Sequence, residues 1–207
     1  FQADSVIDFA WFASPDFLVS RKETVLKPSG YSIIINTYYN KKFEDEWQRA
    51  GGYLERSVQF LSQEVGEYPY PQISAVAGIL GTGGGMEYPM ITVVSGGMKG
   101  IDLERVVMHE AFHNWFYGLL ATNERRYPWM DEGMVTFFEN AYMDRYYPNM
   151  NYFGDPGPSS LFKRIGIDNL DNHAFDELAY LAVARLGTDQ AVGSPSTHFT
   201  HLNYGIS

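Results

Sequence analysis

The spacing of apolar residues along the chain predicts alternating strands and helices. Short runs rich in β-branched and aromatic residues indicate strands, whereas apolar residues that recur every three or four positions indicate helices. The predicted strands are 6–14, 19–26, 31–39, 73–80 and 90–94, the last at a sheet edge. The predicted helices are 42–65, 103–120, 130–146 and 175–184, with 161–167 left as a short helix or strand. The predicted strands all lie in the first hundred residues, and most of the predicted helices follow them.

Helix 103–120 stands out because apolar residues wrap most of its surface, which predicts burial almost all round. Asp102 is expected to cap its first turn. The helix nevertheless carries four ionisable residues, and unpaired ionisable groups are costly to bury. These residues are Glu104, His109, Glu110 and His113. Their predicted burial on this helix therefore needs an explanation.

The sequence His109-Glu110-Ala111-Phe112-His113 supplies such an explanation. Two histidines four residues apart lie on one face of a helix, and imidazole is a ligand that suits zinc. Glu110 projects from a neighbouring face, where it can reach a zinc-bound water as a general base. A catalytic zinc site needs a third protein ligand, and Glu132 follows His113 after eighteen residues, in the first turn of the next predicted helix.

The wider pattern resembles the gluzincin metallopeptidases, and most of all the aminopeptidase N and leukotriene hydrolase family. The histidine motif, the eighteen-residue spacing and Glu132 are similar to that family, as are Trp115 and the run from Trp129 to Gly133. Upstream, Gly84-Gly85-Met86-Glu87-Tyr88-Pro89 is similar to the family's Gly-x-Met-Glu-Asn motif, with Tyr88 in place of Asn. The resemblance runs from about Val6 to the end of the chain.

The resemblance implies an α+β, thermolysin-like catalytic domain over residues 1–207. Its N-terminal lobe, with a mixed β-sheet, would occupy residues 1–100 and its zinc-binding, mainly helical lobe residues 101–207, with truncation at the C-terminus and flanking domains in a longer chain. One zinc ion would be held by His109, His113 and Glu132. Gly84, Gly85 and Met86 would hold the peptide, and Glu87 would pair with its free α-amine.

A tyrosine that stabilises the developing oxyanion is also implied. Tyr204 is the first candidate and Tyr180 the second, but the family's Tyr-x-Lys-Gly context is absent, so a residue beyond Ser207 stays open. Glu139, seven residues after Glu132, is either a hydrogen-bond acceptor for a ligand histidine or a surface residue. The pair His198 and His201 has ligand spacing without an acid to complete a site.

Composition narrows the function classes. The 207 residues, with 45% hydrophobic and 19% charged content, fit one globular domain. A formal charge of −10 argues against nucleic acid, because no basic patch is available to neutralise phosphates. The absence of cysteine excludes disulfides, thiol catalysis and cysteine-bound zinc. No apolar run reaches the roughly 18 residues of a membrane span, and nothing indicates a compartment.

Three functions follow in order of preference. The first is a zinc aminopeptidase acting on peptides with a free N-terminus. The second is an endopeptidase or epoxide hydrolase that uses the same metal site. The third is a catalytically silent module that binds zinc or peptide.

Overall fold

The computed structural model describes residues 3–80, 84–148, 150–152, 163–164, 166 and 170–199. The chain divides into two compact units, Phe1–Thr122 and Asn123–Ser207. The single catalytic domain predicted over residues 1–207, with two lobes that meet near residue 100, stays a prediction.

The first unit contains a five-stranded mixed sheet. Its strands are β1 (Phe17–Val25), β2 (Ser32–Asn40), β3 (Gln72–Gly78), β4 (Gly85–Met86) and β5 (Ile91–Ser95). The order is β1-β2-β3-β5-β4; β2, β3 and β5 are parallel, and β1 and β4 are antiparallel to their neighbours. The mixed sheet is therefore confirmed. The edge position predicted for residues 90–94 is wrong, because the chain before β5 folds back as β4 and covers that edge.

One face of the sheet packs against helices and forms the core. In β2, alternate residues are fully or almost fully buried, as the two-residue period of a strand requires. Thr37 on this face approaches the helix that contains Gly51, since a Cβ on that glycine would lie 3.9 Å from the Thr37 methyl. The buried members are Ile33, Ile35, Thr37 and Tyr39.

The opposite face is crossed by the N-terminal segment. The strand predicted for residues 6–14 is wrong, because residues 3–16 contain no strand. Instead, Phe9, Trp11 and Phe12 line a cavity of about 510 Å³ together with Tyr38 and Val76 of the sheet. The aromatic side chains of the segment are thus used against a sheet face, while its backbone joins no ladder.

Two helices come from the stretch predicted as one helix over 42–65. They are α1 (Glu44–Trp47), which follows a 3-10 turn at Lys41–Phe43, and α2 (Ala50–Glu64). The interruption falls just before Gly51-Gly52, where each glycine costs about 1 kcal/mol of helix propensity relative to alanine. Trp47 is anchored at this point by its indole N–H, which donates to the Gly96 carbonyl over 3.1 Å.

The metal-motif helix α3 spans Gly100–His113 and continues as a π-helical stretch, Asn114–Leu119. Asp102 does not cap it. The N–H of Gly100 donates to the Glu46 carboxylate over 3.1 Å, and the helix starts before the position predicted. Burial of Glu104 is explained by Arg56 on α2, whose guanidinium lies 2.6 Å from its carboxylate.

The second unit contains α4 (Glu132–Tyr146) and α5 (Asn172–Leu186), which confirm the helices predicted there. Asp171 caps α5 by accepting the Ala174 N–H over 2.8 Å, and Gly187 ends it with φ 66°. His173 on α5 lies 2.8 Å from Asp144 on α4, and this hydrogen bond raises the pKa of His173. Most of the predicted element 161–167 lies outside the described residues.

Among the described helices, none combines the length and the apolar character that a membrane span requires.

Candidate metal centre

Helix α3 places both motif histidines on one side, one turn apart. The ring centroids of His109 and His113 are 5.0 Å apart, with planes inclined by 73°. His113 is 1% exposed and Glu110 is 6% exposed, while His109 is half-buried. The i, i+4 spacing that the sequence predicts is therefore realised on an ordered, buried helix.

Glu87, from the loop between β4 and β5, joins this group. One ligand atom from each of Glu87, Glu110 and His113 lies within 4.8 Å of the other two, and all three residues are buried. Two carboxylates and an imidazole so close together and so little exposed form a site that favours cations. The structure thus brings together three residues that the sequence analysis had assigned separate roles.

Gly85 lies directly against the Glu110 side chain. A Cβ at position 85 would lie 2.5 Å from both Cγ and Oε1 of Glu110, closer than any real contact. The position of Gly85 is fixed because β4 pairs with β5, where Gly85 opposes Val94 and Met86 opposes Val93. The sequence predicted that this glycine lets a substrate backbone approach. The structure adds that it leaves room for the carboxylate of Glu110.

The loop that carries Glu87 is anchored at both ends. At its start, the Gly84 carbonyl accepts the Ser95 N–H over 2.9 Å, and the Met86 carbonyl accepts the Thr92 hydroxyl over 3.0 Å. At its end, the Met90 N–H donates to Oδ1 of Asn114 over 2.8 Å.

Asn114, which directly follows His113, was missed by the sequence analysis. No local pattern marks it, since Met90 lies 24 residues away. Its Oδ1 also accepts the Tyr68 hydroxyl over 3.2 Å. Burial raises the pKa of Tyr68 well above its ordinary value, so this hydroxyl stays protonated and able to donate.

The remaining candidates belong to the second unit. Glu132 is the first residue of α4 and is half-buried, as is Glu139 further along that helix. Tyr180 is 52% exposed on α5. Tyr204 and His201 lie outside the described residues, and His198 is exposed at the end of a 3-10 turn.

The residues fit a zinc ion by the chemistry of their donors. Two imidazoles lie one helical turn apart, with a buried carboxylate beside them that is not needed as a ligand, and Glu132 is the first residue of α4. Two histidines and one glutamate are the ligands of one class of catalytic zinc site. Thiolate and thioether ligands, which soft metals prefer, are not part of this set.

Comparison with known proteins assigns the chain to a family. The model of the peptidase family M1 domain matches residues 55–178, which is more than half of the chain. The protein therefore belongs to peptidase family M1. Membership of this family implies zinc as the cofactor. A comparison with curated proteins finds no significant match.

Solved structures show the same fold at low sequence identity. The M1 zinc metallopeptidase of Deinococcus radiodurans is 17% identical, with a TM-score of 0.55 over 85% of this chain and 35% of its own. Aminopeptidase A of Legionella pneumophila, solved with aspartic acid, is 16% identical, with a TM-score of 0.52 over 63% of this chain and 17% of its own. The α+β architecture of an M1 peptidase domain is thus confirmed, and the chain spans about a third or less of these relatives.

Proposed function

We propose that this protein is a zinc aminopeptidase that removes N-terminal residues from peptides. The observation that carries the proposal is the buried cluster of Glu87, Glu110 and His113, whose ligand atoms lie within 4.8 Å of one another. It puts a carboxylate suited to an α-amine beside the carboxylate suited to proton transfer. Membership of peptidase family M1 and the names of two solved relatives support peptidase activity.

His109, His113 and Glu132 would hold one zinc ion. When bound, zinc would supply Lewis-acid chemistry and lower the pKa of the attacking water toward neutrality. Glu110 then serves as the general base that takes a proton from the attacking water and returns it to the leaving amine. The absence of a side chain at Gly85 leaves the space that the Glu110 carboxylate occupies.

Glu87 would select peptides by their N-terminus. Its buried carboxylate would pair with a protonated α-amine, and a charge-assisted pair is strongest where water is excluded. Because this carboxylate is so close to Glu110, only a bond within about one residue of the amine could reach the base. Endopeptidase action would then be disfavoured, since an internal peptide segment has no α-ammonium group to pair with Glu87.

Strand β4 would hold the peptide backbone. It is an edge strand of the described sheet, as β1 is at the other edge, so an extended peptide can add to it by β-pairing. Gly84, Gly85 and Met86 provide the backbone for this pairing. For the developing oxyanion, Tyr204 remains the first candidate and Tyr180 the second.

The peptidase mechanism is tested by Glu110→Gln in the full-length protein. Loss of the general base should reduce kcat by about 10²- to 10⁴-fold, while zinc content measured by mass spectrometry stays unchanged. Glu177→Gln makes the same chemical change on an exposed residue of α5 and should keep full activity. Unchanged turnover in Glu110→Gln would instead favour the silent module.

Exopeptidase selection is tested by Glu87→Gln. Loss of the charged partner should raise KM for free-amine aminoacyl substrates by about 10- to 100-fold, since hydrogen bonds to charged groups contribute about 1.5–3 kcal/mol. Substrates with an acetylated N-terminus serve as the comparison. If the parent protein cleaves acetylated and free peptides equally fast, the endopeptidase or epoxide hydrolase alternative gains.

A further inference from the structure

Met90 has a backbone conformation that methionine rarely adopts. Its φ is 66°, in the left-handed region, and the residue is buried. For a residue with a Cβ this conformation costs about 1–2 kcal/mol and persists only where the surroundings enforce it. Here they do so from both sides of the residue. Its N–H donates to Asn114, and its carbonyl accepts the Ser74 N–H over 2.9 Å and the Gln72 side-chain amide over 3.2 Å.

Asn114, which accepts the Met90 N–H, is itself held in a fixed orientation. It is 2% exposed, and its Nδ2 donates to the Ala111 carbonyl over 3.0 Å, so α3 itself sets its orientation. Its Oδ1 is then presented to Met90 and to the Tyr68 hydroxyl. The residue after the second motif histidine therefore connects α3 to the end of the Glu87 loop.

The start of that loop is held by β5, through Thr92 and the β4–β5 pairing. Between the two anchors, Met86 and Met90, lie only Glu87, Tyr88 and Pro89. Pro89 also has a restricted φ. A three-residue span with both ends fixed leaves Glu87 little freedom, and its carboxylate lies within 4.8 Å of Glu110 and His113.

We propose that Asn114 is a positioning residue that holds Glu87 in register with α3, through the Met90 amide. Its side chain bonds to Met90, Tyr68 and Ala111, so it would act through the loop. The effect on substrate selection rests on the proposed function, in which Glu87 recognises the α-amine. The hydrogen-bond link itself does not depend on that function.

The link is tested by hydrogen exchange in the zinc-free, full-length protein. Asn114→Leu has a similar branched shape but removes the acceptor, and the Met90 amide should then exchange at least about tenfold faster. Ser57→Ala is the control, because it removes another buried hydrogen bond, from the Ser57 hydroxyl to the Tyr53 carbonyl, far along the chain from the loop. Equal Met90 exchange in Asn114→Leu and the parent overturns the proposal.

The positioning role is tested by two inhibitors that differ only at the amine. One is an amino-acid hydroxamate with a free α-amine, and the other is its N-acetyl form. In Asn114→Leu the preference for the free amine should fall about tenfold, with acetylated binding and zinc content unchanged within about twofold. Asn114→Asp keeps an acceptor oxygen for Met90 but loses the donor to the Ala111 carbonyl, so it should retain part of the preference.

The outcomes separate the possible failures. Equal weakening of both inhibitors in Asn114→Leu, or loss of preference in Asn114→Asp as well, indicates a general structural role and overturns the positioning role. If the parent shows no amine preference, the proposed role of Glu87 fails, and hydrogen exchange alone upholds or overturns the link. If Asn114→Leu does not fold, Asn114→Ala is measured in the same way, since it removes the acceptor without adding volume.

Discussion

At the scale of single residues, Gly85 illustrates a requirement that is steric rather than conformational. Its φ is not positive, so the backbone alone would accept other residues. The constraint comes from Glu110, whose side chain occupies the place of a Cβ. A residue in the sheet thereby sets the room available to the proposed base on α3.

Gly85→Ala should therefore damage catalysis without removing the metal ligands. A methyl group 2.5 Å from Oε1 must displace the Glu110 carboxylate, and kcat should fall about 10²-fold, near the lower end of what a general base contributes. Zinc content should stay unchanged.

The control for this substitution is Gly52→Ala, at a helical glycine where a Cβ would meet nothing within 4 Å. It should leave kcat unchanged and raise stability by up to about 1 kcal/mol, as measured by urea unfolding. Full activity in Gly85→Ala would show that Glu110 moves aside at no cost, and its placement by Gly85 would have to be abandoned.

The same scale shows how far the sequence could predict the site. The ligand helix could be predicted because both histidines and Glu110 belong to one local spacing. The approach of Glu87 to this group follows from a resemblance to a family motif, not from local spacing. Asn114 could not be predicted, because its partners Met90 and Tyr68 become neighbours only after the sheet and helices pack.

At the scale of elements, strands and helices with strong apolar periods were predicted within a few residues. Several of the errors concern packing or pairing partners that the local spacing of apolar residues does not reveal. Helix α3 starts at Gly100 because Glu46, 54 residues earlier, accepts its first N–H. Residues 6–14 have a strand-like composition but no strand beside them to complete a ladder. Strand β5 is not the edge strand that the sequence predicted, because the two residues of β4 pair with it.

The end of α3 is a second element whose form depends on distant contacts. The π-helical stretch Asn114–Leu119 has no sequence signature, and such segments are rare and often found at functional sites. Within it, the Trp115 indole donates to the Gly66 carbonyl over 2.7 Å. A Cβ at Gly118 would lie 3.2 Å from the Tyr70 hydroxyl. Packing against the segment after α2 therefore shapes the helix just beyond the second histidine.

At the scale of the molecule, the chain corresponds to 17–35% of the solved relatives. We therefore expect flanking domains, and the activity proposed here belongs to the full-length protein. The formal charge of −10 would favour cationic peptides only through long-range attraction, which is screened within about 10 Å at physiological salt. Recognition of the N-terminus is instead proposed to lie with the buried Glu87.

Removal of zinc should lower the stability of the whole protein. A ligand present at about 1,000 times its Kd stabilises the folded state by about 4 kcal/mol, and for a domain of this size each 1 kcal/mol shifts Tm by about 2–4 °C. Chelation should thus lower Tm by about 8–16 °C in differential scanning calorimetry, and added zinc should restore it. Glu132→Gln should lose most of this difference, because it removes the proposed third ligand, whereas His198→Gln, at an exposed histidine, should keep it. A Tm that does not respond to chelation, or that calcium restores as well as zinc, would contradict a zinc site built from His109, His113 and Glu132.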